Sequence, residues 1–387
     1  MGPTATTPPT RTMSTTTAPA TATETTDAPA PASSRDPFFD NAKLLLVTLV
    51  VIGHAWVMMP DAPSSFPAYT FLYAWHVPAF VIVTGYLSRS FRFTRPHLRK
   101  LVTTVVAPYL VFETLLATFR IVIGKESMGS PLYIDPHWPM WYLAVLFLWR
   151  LAKPLLLRVP KPLVVAVVVS LLGGLVESDV LDISRATGLL PFFVLGLVLT
   201  REHFDRLAET RVRVWAFAAL VLAFVVSAVV AKPMNVEWLY WRSSYAAMNA
   251  TVWEGFAGRL GMILVAGALA LAALSLMPRS YRWFTPLGAA SLVVYLCHGF
   301  FVKAAQYAGV GGLVEHDEVT AFVLITGAAV LLALALAATP VARRLNKLVD
   351  PISTATEDTP GMLEPHHHRV GVEQRLALTH RHPVNRR

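Results

Sequence analysis

Cysteine is almost missing from this chain of 387 residues. Cys297 stands alone, which excludes an intramolecular disulfide and any cysteine-based metal cluster. Charge is scarce too: Asp, Glu, Lys and Arg supply 15% of the residues, against about a quarter in a soluble domain. With 55% hydrophobic residues and a mean hydropathy of +0.52, that deficit argues against a soluble enzyme. It fits a chain that crosses a bilayer many times. Three functional devices are also absent or misplaced. No GxSxG nucleophile elbow occurs. "GVGGLV" (309–314) lies between apolar runs with no strand before it, which excludes a dinucleotide fold. Cys297 and His298 are adjacent, so on a helix they point about 100° apart and cannot form a dyad.

The two ends read differently from the middle. Residues 1–34, rich in Thr, Ala and Pro, and residues 350–387 are expected to be disordered, with His366, His367 and His368 as solvated low-complexity sequence. No apolar run precedes residue 44, so a cleaved signal peptide is not expected. "MGPTAT" fits the loose myristoylation pattern, but a multi-span chain needs no lipid anchor. Between the tails, residues 35–349 form one transmembrane domain.

Apolar stretches near 44–59, 69–87, 101–119, 139–157, 162–176, 187–200, 214–231, 260–276, 286–308 and 319–339 predict an all-α bundle of about ten transmembrane helices. The excess of Lys and Arg (33, against 24 Asp and Glu) follows the loops of such a bundle and calls for no nucleic-acid partner. Residues 88–100 carry Arg89, Arg92, Arg95, Arg99 and Lys100, and the connections after the fourth, sixth and eighth stretches are also basic. Only Arg120, Lys125, Arg185, Lys232, Arg242 and Arg259 fall on the other side. The positive-inside rule then puts both termini in the cytoplasm.

Within these spans sit ionisable groups. His54 lies 11 residues past Lys43, roughly 16 Å along a helix. His76, Glu113 and His298 reach similar depths on three other helices. Each alone could simply bond a neighbouring helix; four in one band point to a polar cavity. Histidine there suits general acid or base work. The basic segment 88–100 reads either as positive-inside charge or as an anion clamp for phosphates. Trp138, Trp141 and Tyr142 in "PHWPMWYL" read as an interfacial aromatic belt, or as faces on which a sugar stacks.

Five stretches together carry a family likeness. "RDPFFDNAKLLLVTLVVIGHAW" (35–56) resembles the opening of the acyltransferase family 3 membrane proteins, closest to the fucose 4-O-acetylase-like branch. "AWHVPAFVIVTGYLSRS" (74–90) is similar to that branch's second signature, with Thr84 where Ser is commoner. "RKLVTTVVAPYLVFE", "LLPFFVLGLVL" and "PLGAASLVVYLCHGFFV" resemble later segments in the same order. Lys43 stands where other branches have Arg, so no bidentate guanidinium is available there.

The resemblance implies transfer of an acyl group, acetyl from acetyl-CoA, to a hydroxyl of a carbohydrate, by a multi-pass protein of the bacterial inner membrane. It needs no metal, and its partners are the lipid bilayer and a carbohydrate or glycolipid acceptor. His54 is then the catalytic base or transient acyl carrier, with Asp40 and Lys43 ordering the cytoplasmic end of the site. Arg89, Arg92 and Arg99 would bind the CoA phosphates. His76, Glu113, Trp138, Trp141, Tyr142, Ser291, Tyr295 and His298 would meet the acceptor. Two other readings stay open: a transporter using the His and Glu set as a proton relay, and a non-catalytic envelope partner.

Overall fold

Where no water is at hand, a backbone must satisfy its own N–H and C=O groups, so the apolar runs fold as helices. A computed structural model describes residues 36–59, 67–127, 129, 131–314 and 318–349, together with Gly2. The expectations for the tails 1–34 and 350–387 lie outside the described residues, apart from Gly2. Among the described residues every regular element is a helix.

In chain order these are α1 (Pro37–Trp56), α2 (Pro67–Leu87), α3 (Arg95–Val122), α4 (Trp141–Leu156), α5 (Pro162–Gly173), α6 (Ile183–Gly188) and α7 (Leu190–Val198). There follow α8 (Arg201–Leu207), α9 (Thr210–Val230), α10 (Glu237–Tyr240), α11 (Val252–Leu276), α12 (Ser291–Tyr307), α13 (Glu318–Ala337) and α14 (Thr339–Val349). Among the described residues seven helices are long and apolar enough to cross a membrane: α1, α2, α3, α9, α11, α13, and α12 with the turn before it from Thr285. The pair α6 and α7, bent by 61° where they meet, adds an eighth if taken as one span. The fourth and fifth expected stretches form helices of only 16 and 12 residues, α4 and α5.

Lipid accounts for what the surface exposes. Along α9, Trp215 is 76%, Leu222 63% and Val229 75% exposed. A water-soluble fold would bury such a helix, whereas hydrocarbon accepts it.

Helix α2 is the central post, packing on α1, α7, α9 and α11. It crosses α7 at two glycines. A Cβ on Gly85 would stand 2.1 Å from the Phe193 carbonyl oxygen, and one on Gly196 would stand 2.1 Å from that of Ile82. The backbones touch there, as small residues permit between helices in a membrane.

The two ends of the bundle are built differently. At the end carrying the 88–100 loop, the Asn41 amide donates to the carbonyls of Pro278 (3.0 Å) and Ser280 (3.1 Å), and its oxygen accepts from Thr285 (2.7 Å). Lys153 donates to the carbonyls of Arg89 (2.7 Å) and Phe91 (2.5 Å), pinning the loop. Asp36 caps α1 and pairs with Arg201 of α8. This is the basic end; the candidate site opens at the other.

A Gly85→Ala substitution forces its methyl against backbone, so overpacking is expected to remove about 1–3 kcal/mol. Thermal unfolding in detergent should show the loss. Gly261→Ala, where a Cβ meets nothing within 4 Å, should unfold like the parent.

Candidate active site

His54 sits in the last turn of α1 and faces His298 of α12. The His54 Nδ1 and His298 Nε2 atoms are 2.8 Å apart, and both side chains are buried. The other contact of His298 sets the direction. Its Nδ1 lies 3.1 Å from the Val294 carbonyl, which can only accept. With both rings neutral, His298 Nδ1–H donates to that carbonyl, so its Nε2 accepts from His54 Nδ1–H. That leaves the His54 Nε2 lone pair without a hydrogen-bond partner among the described residues. A base is what remains.

Trp138 lies against this pair, its ring centroid 4.5 Å from His54 and 6.4 Å from His298. It is no interfacial belt. The segment 133–140 runs back into the bundle, and Glu113 of α3 receives it. The fully buried Glu113 carboxylate accepts from the His137 backbone N–H (3.0 and 3.2 Å) and lies 2.5 Å from His137 Nδ1. Tyr109 donates to the Tyr133 carbonyl (2.9 Å), and Tyr295 donates to that of Pro139. Helix α4 therefore begins inside the bundle. Tyr142, in its first turn, bonds Thr84, which is 17 residues down α2 from Pro67, or about 25 Å. The short α4 and the re-entrant segment explain each other.

Two cavities meet at His54. The larger, about 320 Å3, is open at the end of the bundle opposite the basic loop. His54, Trp138 and Trp141 line it with Tyr73, Tyr240 and Arg185. A small one of about 30 Å3 continues toward the basic end between Val47, Val50, His54, Phe80, Tyr142 and Tyr295.

The expected site residues divide accordingly. His54, His298, Trp138, Trp141, Tyr142 and Tyr295 come together. His76 does not line either cavity: it is 1% exposed, with Nδ1 donating to the Leu72 carbonyl at 2.7 Å. Glu113 is also off the lining, committed to His137. Ser291 begins α12, seven residues before His298, and lines neither cavity. Asp40 and Lys43 pair with each other at 2.7 Å in the first turns of α1, roughly 16 Å along the helix from His54, so neither touches it. Arg89 stacks on Tyr86 at 4.4 Å and donates to the Leu199 carbonyl (2.7 Å). Arg92 and Arg99 are exposed on the same basic end.

Sequence reasoning missed His137, although it stands inside the quoted "PHWPMWYL". It also passed over Arg120, Arg185, Arg242 and Lys303 of the large cavity. The signal available for three of them was their presence on the side that has few cations.

Near the cavity mouth, Glu126 accepts from Tyr307 (2.6 Å), Arg120 (2.7 Å) and Lys303 (3.1 Å), joining the ends of α3 and α12. Partial burial pushes its carboxyl up, but those three donors outweigh it and hold it down at about 2. A carboxyl held low stabilises the fold fully above its ordinary value and less as pH falls toward its folded one. The stability difference between the parent and Glu126→Gln should therefore be full at neutral pH and shrink from about pH 4.5 to about pH 2 in detergent unfolding curves. Glu113→Ala leaves buried donors unpaired, an expected loss of about 1–3 kcal/mol. Glu113→Gln, which keeps an acceptor for the His137 backbone N–H, should lose less in the same measurement.

The comparisons with known proteins agree with this architecture. The chain matches the acyltransferase domain of acyltransferase family 3 over residues 36–338. It is 22% identical to nodulation protein NolL of Mesorhizobium japonicum over 368 residues, covering 86% of this chain and 93% of that protein. No solved structure matches. Neither match singles out the fucose 4-O-acetylase-like branch that the opening motif resembles; both support the wider family. A match of that extent, on an all-helical fold with a membrane-depth histidine pair, places the chain in the acyltransferase 3 family.

Proposed function

We propose that this protein moves an acetyl group from acetyl-CoA to a hydroxyl of a carbohydrate, with His54 at the point of transfer. One observation carries the reading: His54 borders both cavities, and its Nε2 is held as an unpaired lone pair by the bond from its Nδ1 to His298. In the direct route, Nε2 takes the proton of the acceptor hydroxyl as the oxygen attacks the thioester carbonyl. The carbon–sulfur bond breaks and the thiolate takes up the proton from His54. In the relay route, Nε2 attacks the thioester first and CoA leaves as thiolate; the hydroxyl then opens the acyl-imidazolium, returning His54 to its neutral form, and the hydroxyl proton neutralises the thiolate. His298 serves either route by fixing the ring and sharing the charge that develops on it.

The small cavity supports acetyl over a longer acyl group. At about 30 Å3 it holds only a few atoms, closed in by Val47, Val50 and Phe80. The aromatic walls of the larger cavity suit the apolar faces of a sugar ring. The basic end, with Arg89, Arg92 and Arg99, is the donor side. In this reading, the three shorter stretches complete ten membrane passages, both termini are cytoplasmic, and the protein sits in a bacterial inner membrane. The basic helix α14, with Arg343, Arg344 and Lys347, lies on the same side and supports that orientation.

Mass spectrometry of envelope and secreted glycans from cells with and without the gene should show acetyl groups that depend on it. Replacing His54 with Ala should lower acetylation by about 100- to 10,000-fold, the usual contribution of a general base. A His54→Ala variant that inserts normally and acetylates fully would sink the assignment. Labelled acetyl-CoA also separates the two routes, since the relay leaves label on the protein in the absence of acceptor. Transport of a glycan without consumption of acetyl-CoA would replace the enzyme reading with the exporter.

A further inference from the structure

The large cavity is lined by four cationic side chains: Arg120, Arg185, Arg242 and Lys303. Among the described residues lining it there is no carboxylate. This is the end of the bundle where cations are few. Of the six Lys and Arg assigned to that side, three converge on one cavity, and Lys303 joins them from within α12. Positive-inside loops cannot explain the cluster, because it lies on the wrong side.

Helix latching, as at Glu126 between α3 and α12, accounts for only part of it. Each cation has a carboxylate partner: Glu126 for Arg120 and Lys303, Asp182 for Arg185, and Glu237 for Arg242. Three carboxylates thus serve four cations, and none of the three is on the cavity wall. With the positive group facing inward and the negative one behind it, each pair presents its cation to whatever enters. A concave wall between low-dielectric helices concentrates that field. Arg242 at the rim is the least committed, its contact to Glu237 a long 3.4 Å and its side chain 48% exposed. Arg185 is the deepest set, lying 4.9 Å over the Trp141 ring, with its Nε donating to the Tyr240 carbonyl at 3.2 Å. Cations and aromatic faces therefore occupy one wall. A neutral saccharide would use the rings and leave the charges idle.

We infer that this cavity admits an acceptor carrying a negative group, a carboxylate or a phosphate, on the same molecule as the hydroxyl presented to His54. The inference deepens the acyltransferase reading, since it names the class of acceptor, but it concerns binding and can be tested without any acyl transfer. The anion comes either on a soluble acidic sugar or on a lipid-linked one.

The test titrates glucuronate, glucose 1-phosphate and methyl glucoside into the full chain in phosphatidylcholine nanodiscs without acyl donor, read by tryptophan fluorescence, to which Trp138 and Trp141 contribute. The two anionic sugars should bind at least about tenfold tighter than methyl glucoside, a difference that one charge-assisted hydrogen bond can supply. Added salt should narrow the gap. Arg242→Gln should bring the anionic sugars toward the neutral one, and Arg242→Lys should keep most of the preference. If that rim residue proves silent, Lys303→Gln reads the inner wall. Nanodiscs that include phosphatidylglycerol separate the sources. Competition there assigns the anion to a lipid-linked acceptor; its absence assigns it to a soluble sugar, and either result supports the class. Equal binding of methyl glucoside, no binding of either anionic sugar, or displacement of glucuronate by free CoA would overturn the inference. A chain that binds the anionic sugar but never acetylates it keeps this inference and loses the enzyme reading. Acetylation of neutral glycans alone does the reverse.

Discussion

At bilayer depth a polar group must find its partner inside the protein, and the site is a consequence of that constraint. A segment such as 133–140, with irregular backbone and two prolines, could not face lipid. It enters the bundle because Glu113, Tyr109 and Tyr295 meet its N–H and C=O groups. Its entry shortens α4 and sets Trp138 beside the histidine pair. Removing the water also removes the competitor for every one of these bonds. The Val294 carbonyl plays the same part for the neutral histidine pair, ordering the tautomer of His298 and through it that of His54.

The two ends of the molecule divide the remaining work. At the basic end the polar side chains mostly hold structure: Asn41 ties α1 to the turn before α12, and Lys153 holds the loop that carries Arg89 and Arg92. At the opposite end they line a cavity. The charge difference between the ends carries the proposed membrane orientation, and it also makes the few cations at the cavity informative. A lysine in the 88–100 loop is one of many, whereas Lys303 inside α12 is alone in its helix.

The sequence made the helical architecture legible because a long apolar run has few alternatives. Each of the ten expected stretches overlaps a helix or the bent pair, and seven have the length to cross. Depth along a helix was also legible, since rise per residue is constant, and it placed His54 and His298 in one band with His76 and Glu113. Facing was not legible. His76 lies at a similar depth but lines neither cavity and bonds its own helix, and nothing in "AWHVPAF" distinguishes it from His54. Glu113 was found but misread, because its partner His137 belongs to a connection that looks interfacial in sequence. Only the fold reveals that this connection returns to the bundle interior. Asp40 and Lys43 share α1 with His54 and are conspicuous in sequence, yet a rigid helix keeps them apart from it.

Rigidity also bears on the chemistry. The acetyl transfer proposed above competes with hydrolysis, so it requires a base that meets an alcohol and not bulk water. His54 stands where a cavity open to one end of the bundle narrows to one of about 30 Å3 directed toward the other. Trp138 stands across the imidazole on the wide side, and the narrow side, at about 30 Å3, has room for only a few atoms. In so poorly hydrated a place, the dipole of the His298 ring acts on His54 with little screening and is already oriented before substrate arrives. In the proposed reaction, the bond that leaves Nε2 unpaired is therefore also the one that would stabilise the imidazolium once the proton has moved. The pair needs no third member, because the Val294 carbonyl, fixed by its own helix, completes the chain.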